Sequence, residues 1–175
     1  MSFFSSYWVL PLLFMFHDFE ELVLVPSWLL NHDSYIGKKQ LFGGVHHSDV
    51  LAIGIWEEFC IYLLLSTVAN LINYPLLVVA ATLPYLLHLI AHCIFSIIKH
   101  AYVPGVVTSI IEIPITILYL LALIKLTHIA IWQWFVVIIA VFVAFAANLQ
   151  FIHIIMSRIE DTMYCRKGSG ANFPR

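Results

Sequence analysis

Charge is the scarcest property of this 175-residue chain: Asp, Glu, Lys and Arg make up 10% of it, where a soluble domain carries about 25%. Apolar residues account for 62%, and mean hydropathy is +0.97. A soluble fold of this size keeps roughly a third of its unfolded surface wet and needs polar side chains to cover it. This chain lacks them, so lipid is its expected solvent. Cysteine is also scarce. Cys60, Cys93 and Cys165 have no motif spacing, which excludes a disulfide framework and a thiolate metal site. Cys60 and Cys93 read instead as small core hydrophobes. The few basic residues form no patch interleaved with aromatics, which excludes a nucleic-acid partner. Met1–Phe16 has neither a basic n-region nor a small-residue cleavage site, so it does not read as a signal peptide.

What is present is long apolar runs. Crossing about 30 Å of hydrocarbon takes about 20 helical residues, and five stretches qualify: Tyr7–Leu30, Val50–Ile72, Leu76–Ile98, Gly105–Ile124 and Ile131–Met156. Asn31-His32-Asp33, Asn73-Tyr74-Pro75 and Tyr102-Val103-Pro104-Gly105 punctuate them. The expected fold is all-α, a polytopic membrane helix bundle of about five transmembrane helices. It forms one domain over residues 1–166, with a disordered tail over 167–175. Lys38, Lys39, Lys99, Arg158, Arg166, Lys167 and Arg175 fall on one side of that topology and Lys125 alone on the other. By the positive-inside rule the N-terminus is outside and the C-terminus cytoplasmic. The expected location is a bacterial cytoplasmic membrane.

Against that background the acids are out of place. Asp18, Glu20, Glu21, Glu57, Glu58 and Glu112 all lie inside apolar runs, with His17, His88, His92, His153 and Asn148. An ionisable group there costs at least ~2.5–3.5 kcal/mol and marks function by default. His17, Glu20 and Glu21 stand at i, i+3 and i+4, and His88 and His92 at i and i+4, so each set shares one helical face. Glu57 and Glu58 diverge by about 100°, so one of the pair is expected to point inward. Counted by helical rise, the groups converge in the cytoplasmic half of the bilayer. No Lys or Arg reaches that depth to neutralise them, which leaves protons or metal ions. Histidine and carboxylate without cysteine suit Zn, Fe or Mn, as one or two divalent ions.

The expected ligands are His17, Glu20, Glu21, His88 and His92. Glu20, Glu21, Glu57 and Glu58 are the candidate catalytic carboxylates, and Glu112, His153 and Asp18 are possible additions. His32, His100, His128 and the His46-His47 pair read as structural or interfacial, Tyr62 and Tyr85 as packing residues, and Asn148 as an interhelical hydrogen-bonding group.

At His17-Asp18-Phe19-Glu20-Glu21 the chain resembles the bacterial membrane-protein family named for its HXXEE motif. His88-x-x-x-His92, Tyr102-Val103-Pro104-Gly105 and Thr108 resemble that family's later segment. The resemblance covers about Phe14 to Arg158. It implies a small polytopic membrane protein of unknown function and singles out His17, Glu20 and Glu21. His-x-x-x-His also occurs in membrane desaturases, but their His-x-x-His-His boxes are absent.

The expected function is a metal-dependent membrane enzyme, of hydrolase type, acting on a lipidic or amphiphilic substrate among the membrane lipids. Two alternatives stand beside it. One is a metal-free His/Glu proton-transfer enzyme, resembling five-span sterol isomerases in mechanism alone. The other is a cation- or proton-binding transporter. Oligomeric state is not legible.

Overall fold

The computed structural model describes residues 5–165. Five long helices dominate: α1 (Val9–Asn31), α2 (Ser48–Leu71), α3 (Pro75–Lys99), α4 (Val106–Lys125) and α5 (Ile131–Glu160), the last running into a π turn over Asp161–Cys165. Their bounds fall within a few residues of the apolar runs, because the breakers act locally. Pro75 opens α3 at its first turn, where its missing N–H costs nothing. Asn73, at φ 51°, turns the chain between α2 and α3. His100 closes α3 in the left-handed region. The tail expected over 167–175, with Arg166, Lys167 and Arg175, lies outside the described residues.

Among the described residues four helices, α2 to α5, are long and apolar enough to cross a membrane. The chain is therefore a membrane protein. Helix α1 is also long, at 23 residues, but Asp18, Glu20 and Glu21 fall within any 18-residue window of it. Its span is not established by composition. Leucine, isoleucine and phenylalanine side chains stand exposed along the outer faces of all five helices, as lipid solvation requires. Cys60 is on such a face and Cys93 is half-buried. Neither is the core residue expected, because in lipid an apolar thiol gains nothing by facing inward.

Helix α3 packs against all four other helices, most extensively against α4. Gly54 on α2 allows close approach to α5, since a Cβ there would meet Met156 Sδ at 2.5 Å. The interior holds two apolar clusters. One apolar cluster gathers Leu10 and Phe14 of α1, Tyr62 of α2, Leu76 to Leu89 of α3 and Tyr119 and Leu123 of α4. A second gathers Val25 and Trp28 of α1, Val50 of α2, Val103 and Met156. Buried acids and histidines come from three of the helices: His17, Asp18 and Glu21 of α1, His92 of α3 and Glu112 of α4.

One connection, between α1 and α2, packs Leu41 and Val45 into the second cluster and is fastened at two points. The α1–α2 connector forms a small hairpin, β1 (Tyr35–Ile36) with β2 (Lys39–Gln40), then a tight turn over Leu41–Gly44. Lys99 of α3 donates to Asp33 at 2.8 Å and also to the Tyr35 carbonyl. Its hydrogen bond holds the Asp33 carboxyl below the usual carboxylate range. On the other side Glu160 accepts from the His46 amide at 2.7 Å and from His47 Nδ1 at 2.6 Å. His46 and His47 are thus strap residues. Between the two fastenings Phe42, at φ 55°, lays its ring 5.9 Å from that of His92 and 6.0 Å from that of Trp28.

Candidate metal centre

Helical spacing brings His17 and Glu21 onto one face of α1, and His88 and His92 onto one face of α3. The packing of those helices points both faces at one centre. Ligand atoms from these four residues all lie within 4.8 Å of one another, and the group could hold a metal ion. His88 Nε2 stands 3.1 Å from both His17 Nε2 and His92 Nε2. Glu21 Oε1 lies 3.4 Å from His17 Nε2, 3.5 Å from His88 Nε2 and 2.7 Å from His92 Nε2. A tetrahedral ion with bonds of ~2.0–2.1 Å needs ligand atoms about 3.3 Å apart. The observed separations bracket that value.

The far sides of the rings decide which nitrogens face the centre. His92 Nδ1 is 2.8 Å from the Pro104 carbonyl. A carbonyl only accepts, so Nδ1 carries the proton and neutral His92 presents a bare Nε2. His17 Nδ1 is 2.9 Å from Thr108 Oγ1. That hydroxyl is itself 2.6 Å from Glu20 Oε2 and gives its proton there, so it accepts from His17 Nδ1–H. Neutral His17 likewise presents a bare Nε2. A proton on His88 Nε2 satisfies just one of its two neighbours. Glu21 Oε1, in the middle, is buried and has no hydrogen bond of acceptable geometry. Lone pairs converging on one buried point are what a cation neutralises.

Exposure differs sharply within the set. The His17, His92 and Glu21 side chains are 0%, 3% and 8% exposed, and His88 is 40% exposed. The centre is therefore sealed except at the His88 edge. Gly105 permits the seal. It sits at φ +86°, and a Cβ there would come within 2.6 Å of His92 Nδ1 and 3.1 Å of His17 Cε1.

The other expected residues are distributed around this group. Glu20 stays outside it. Its carboxylate accepts from Tyr102 Oη at 2.5 Å, the Thr108 amide at 2.8 Å, the Thr108 hydroxyl and, at 3.4 Å, the Val107 amide. Burial and the Glu20 carboxylate raise the Tyr102 hydroxyl above its ordinary value, so it remains a donor. Glu57 accepts from Asn148 of α5 at 3.1 Å, the interhelical bond expected of Asn148, and Glu58 is half-buried. Asp18 is buried and its Oδ2 has no hydrogen-bond partner. Glu112 is buried and bonded to Tyr85, so Tyr85 does more than pack. His153 is half-buried and would touch a side chain at Gly43.

The sequence reading assigned no function to the Pro104 carbonyl, to Gly105 or to Thr108. The available signal was the Tyr102–Gly105 run, whose Pro-Gly pair turns the chain back onto both histidines.

No curated protein and no solved structure matches the chain. The family described as "Protein of unknown function with HXXEE motif" matches residues 8–119, which takes in α1 to α3, most of α4 and every residue of the convergent group. The chain belongs to the HXXEE family.

Proposed function

We propose that the chain is a metal-dependent integral membrane enzyme of hydrolase type, with its site in the cytoplasmic half of a bacterial cytoplasmic membrane. One observation carries the reading: three imidazole nitrogens and one carboxylate oxygen converge, with two rings held so that their bare nitrogens face inward. The donor set lacks sulfur and mixes nitrogen with oxygen, which favours Zn, with Fe or Mn as the other candidates. In this reading His17, His88, His92 and Glu21 hold the ion. A divalent ion supplies Lewis acidity, which activates water near neutral pH and polarises a carbonyl or phosphoryl group.

The chain's own residues set access and protonation. His17, His92 and Glu21 are sealed, so substrate reaches the centre at the His88 edge. A group that stays in the membrane while presenting a polar bond there is lipidic or amphiphilic. Glu57 or Glu58 of α2 is the acid–base group. The working experiment uses the purified, metal-loaded protein in mixed micelles with amphiphilic esters, amides and phosphoesters. Turnover of one class should disappear with chelator and return with zinc. Turnover indifferent to chelator would remove the metal from the mechanism.

Five spans are part of the proposal. If α1 also crosses, Asp18 and Glu21 are buried by the bundle rather than by lipid, and the half-buried Glu20 is held by the start of α4. The basic residues then divide as the positive-inside rule expects, with the C-terminus cytoplasmic. A C-terminal tag should be protected in sealed spheroplasts and an N-terminal tag accessible. An accessible C-terminus would contradict the orientation.

A metal-free proton-transfer reading has its own support in the buried Tyr85–Glu112 pair and the unpartnered Asp18 Oδ2. It ranks second because satisfying every facing contact with protons requires imidazolium at both His17 and His92 beside a single carboxylate, a net positive charge at a buried point.

A further inference from the structure

The two adjacent glutamates of the motif do different jobs. Residues 20 and 21 diverge by about 100° around α1, so Glu21 turns toward α3 while Glu20 turns toward the start of α4. There Gly105, the residue preceding α4, offers no capping side chain. Glu20 takes that place from another helix, accepting the Val107 and Thr108 amides of the first turn. A carboxylate is suited to this end of a helix, where unpaired N–H groups and the macrodipole favour negative charge. Its bond from the Thr108 hydroxyl then extends inward to His17 Nδ1.

We propose that Glu20 is a positioning residue for the metal centre: through Thr108 it fixes His17 in the tautomer that presents Nε2 and strengthens that nitrogen as a ligand. The inference rests on the metal reading above. In the chain Tyr102–Glu20–Thr108–His17 the contacts are short and donation runs towards Glu20 from both ends. Tyr102 gives its proton to Glu20 Oε1, Thr108 gives its hydroxyl proton to Glu20 Oε2, and His17 Nδ1–H gives to Thr108 Oγ1. Four donors converge on Glu20, and only a carboxylate accepts them all. A glutamine would turn its amide N–H₂ against either Tyr102 or Thr108 and break one half of the arrangement. Thr108 needs its hydroxyl for the same reason, because a methyl in its place can neither accept from His17 nor donate to Glu20. Outer partners of metal-bound histidines typically change affinity 10–100-fold when removed.

A role confined to capping α4 makes different predictions from a relay. The test uses the full-length protein in detergent, with zinc affinity measured by competition and ligand geometry followed by the visible spectrum of bound cobalt(II). Glu20→Gln and Thr108→Val should each weaken zinc binding by about 10–100-fold while retaining a cobalt spectrum. Thr108→Ser, which keeps the hydroxyl, should bind close to wild type. The double variant Glu20→Gln/Thr108→Val should be no weaker than the worse single, since both break one chain.

Wild-type zinc affinity in Glu20→Gln, or losses that multiply in the double variant, would overturn the relay and leave Glu20 as a cap alone. Should Glu20→Gln fail to fold, Thr108→Val against Thr108→Ser decides, because both keep Glu20 and its amide contacts. Equal affinity in those two variants overturns the relay. A wild-type protein that binds no zinc or cobalt overturns the metal reading and the relay together. Failure of the relay alone shows as tight wild-type binding that the variants share.

Discussion

Replacing His92 by Ala is expected to strip stoichiometric metal from the purified protein and to abolish the stabilisation that added zinc confers. His92 sits closest to Glu21 and is nearly sealed, so no other described side chain stands ready to replace its nitrogen. A ligand that binds only the folded state stabilises it by RT ln(1 + [L]/Kd), about 4 kcal/mol when the ion is present at about 1,000 times Kd. The substitution also leaves the buried Pro104 carbonyl without its donor, at a further cost of about 1–3 kcal/mol. The two effects separate on a thermal melt in detergent. The carbonyl and the cavity lower Tm without metal, whereas loss of the site removes the zinc-induced rise. A variant that melts lower but still rises with zinc as the wild type does would show that His92 is a packing residue.

Gly105→Ala should be nearly as damaging although it touches no ligand atom's chemistry. A non-glycine residue in the left-handed region costs on the order of 1–3 kcal/mol. Here the added methyl also meets His92 Nδ1 at 2.6 Å and His92 Cε1 at 2.8 Å. Those atoms belong to a ring anchored on the neighbouring Pro104 carbonyl, so it cannot retreat without losing that bond. The expected result is a lower Tm together with weakened metal uptake. A control at Gly37, whose Cβ would meet nothing within 4 Å, isolates the backbone strain because its φ is also positive. Gly37→Ala should lower stability modestly and leave metal uptake intact. Equal metal uptake in Gly105→Ala and wild type would mean that the α3–α4 turn does not hold the histidines in place.

Much of this is legible in the sequence. Apolar runs ended by Asn73-Tyr74-Pro75 and Pro104-Gly105 located the helices to within a few residues, because those breakers act on the local backbone. The pairs His17/Glu21 and His88/His92 could be matched because i, i+4 spacing is a property of the helix alone. The division between Glu20 and Glu21 could not. Adjacent residues differ only in direction, and which direction meets α3 and which meets α4 is set by helix packing. The same holds for Glu57 and Asn148, whose partnership joins α2 to α5. A backbone carbonyl has no sequence signature, so Pro104 as the anchor of His92 was invisible. Phe42 was hidden for a different reason: local propensity opposes a bulky residue at positive φ, and tertiary contacts with Trp28 and His92 hold it there. For α1, composition alone leaves the span open, since the acids that build the site also remove the apolar signature of a crossing.

In the proposed function a metal ion, rather than protons, neutralises the buried group. Elemental analysis of the full-length protein, purified without chelator and again after incubation with zinc, tests it most directly. A metal centre predicts one divalent transition-metal ion per chain in the wild type, sharply reduced in Glu21→Gln, with that variant losing the stability conferred by metal. Under proton neutralisation the same variant replaces a buried acid with a neutral isostere and relieves its desolvation. A wild-type protein with no stoichiometric metal in either preparation, alongside Glu21→Gln at least as stable as wild type, would contradict a metal centre.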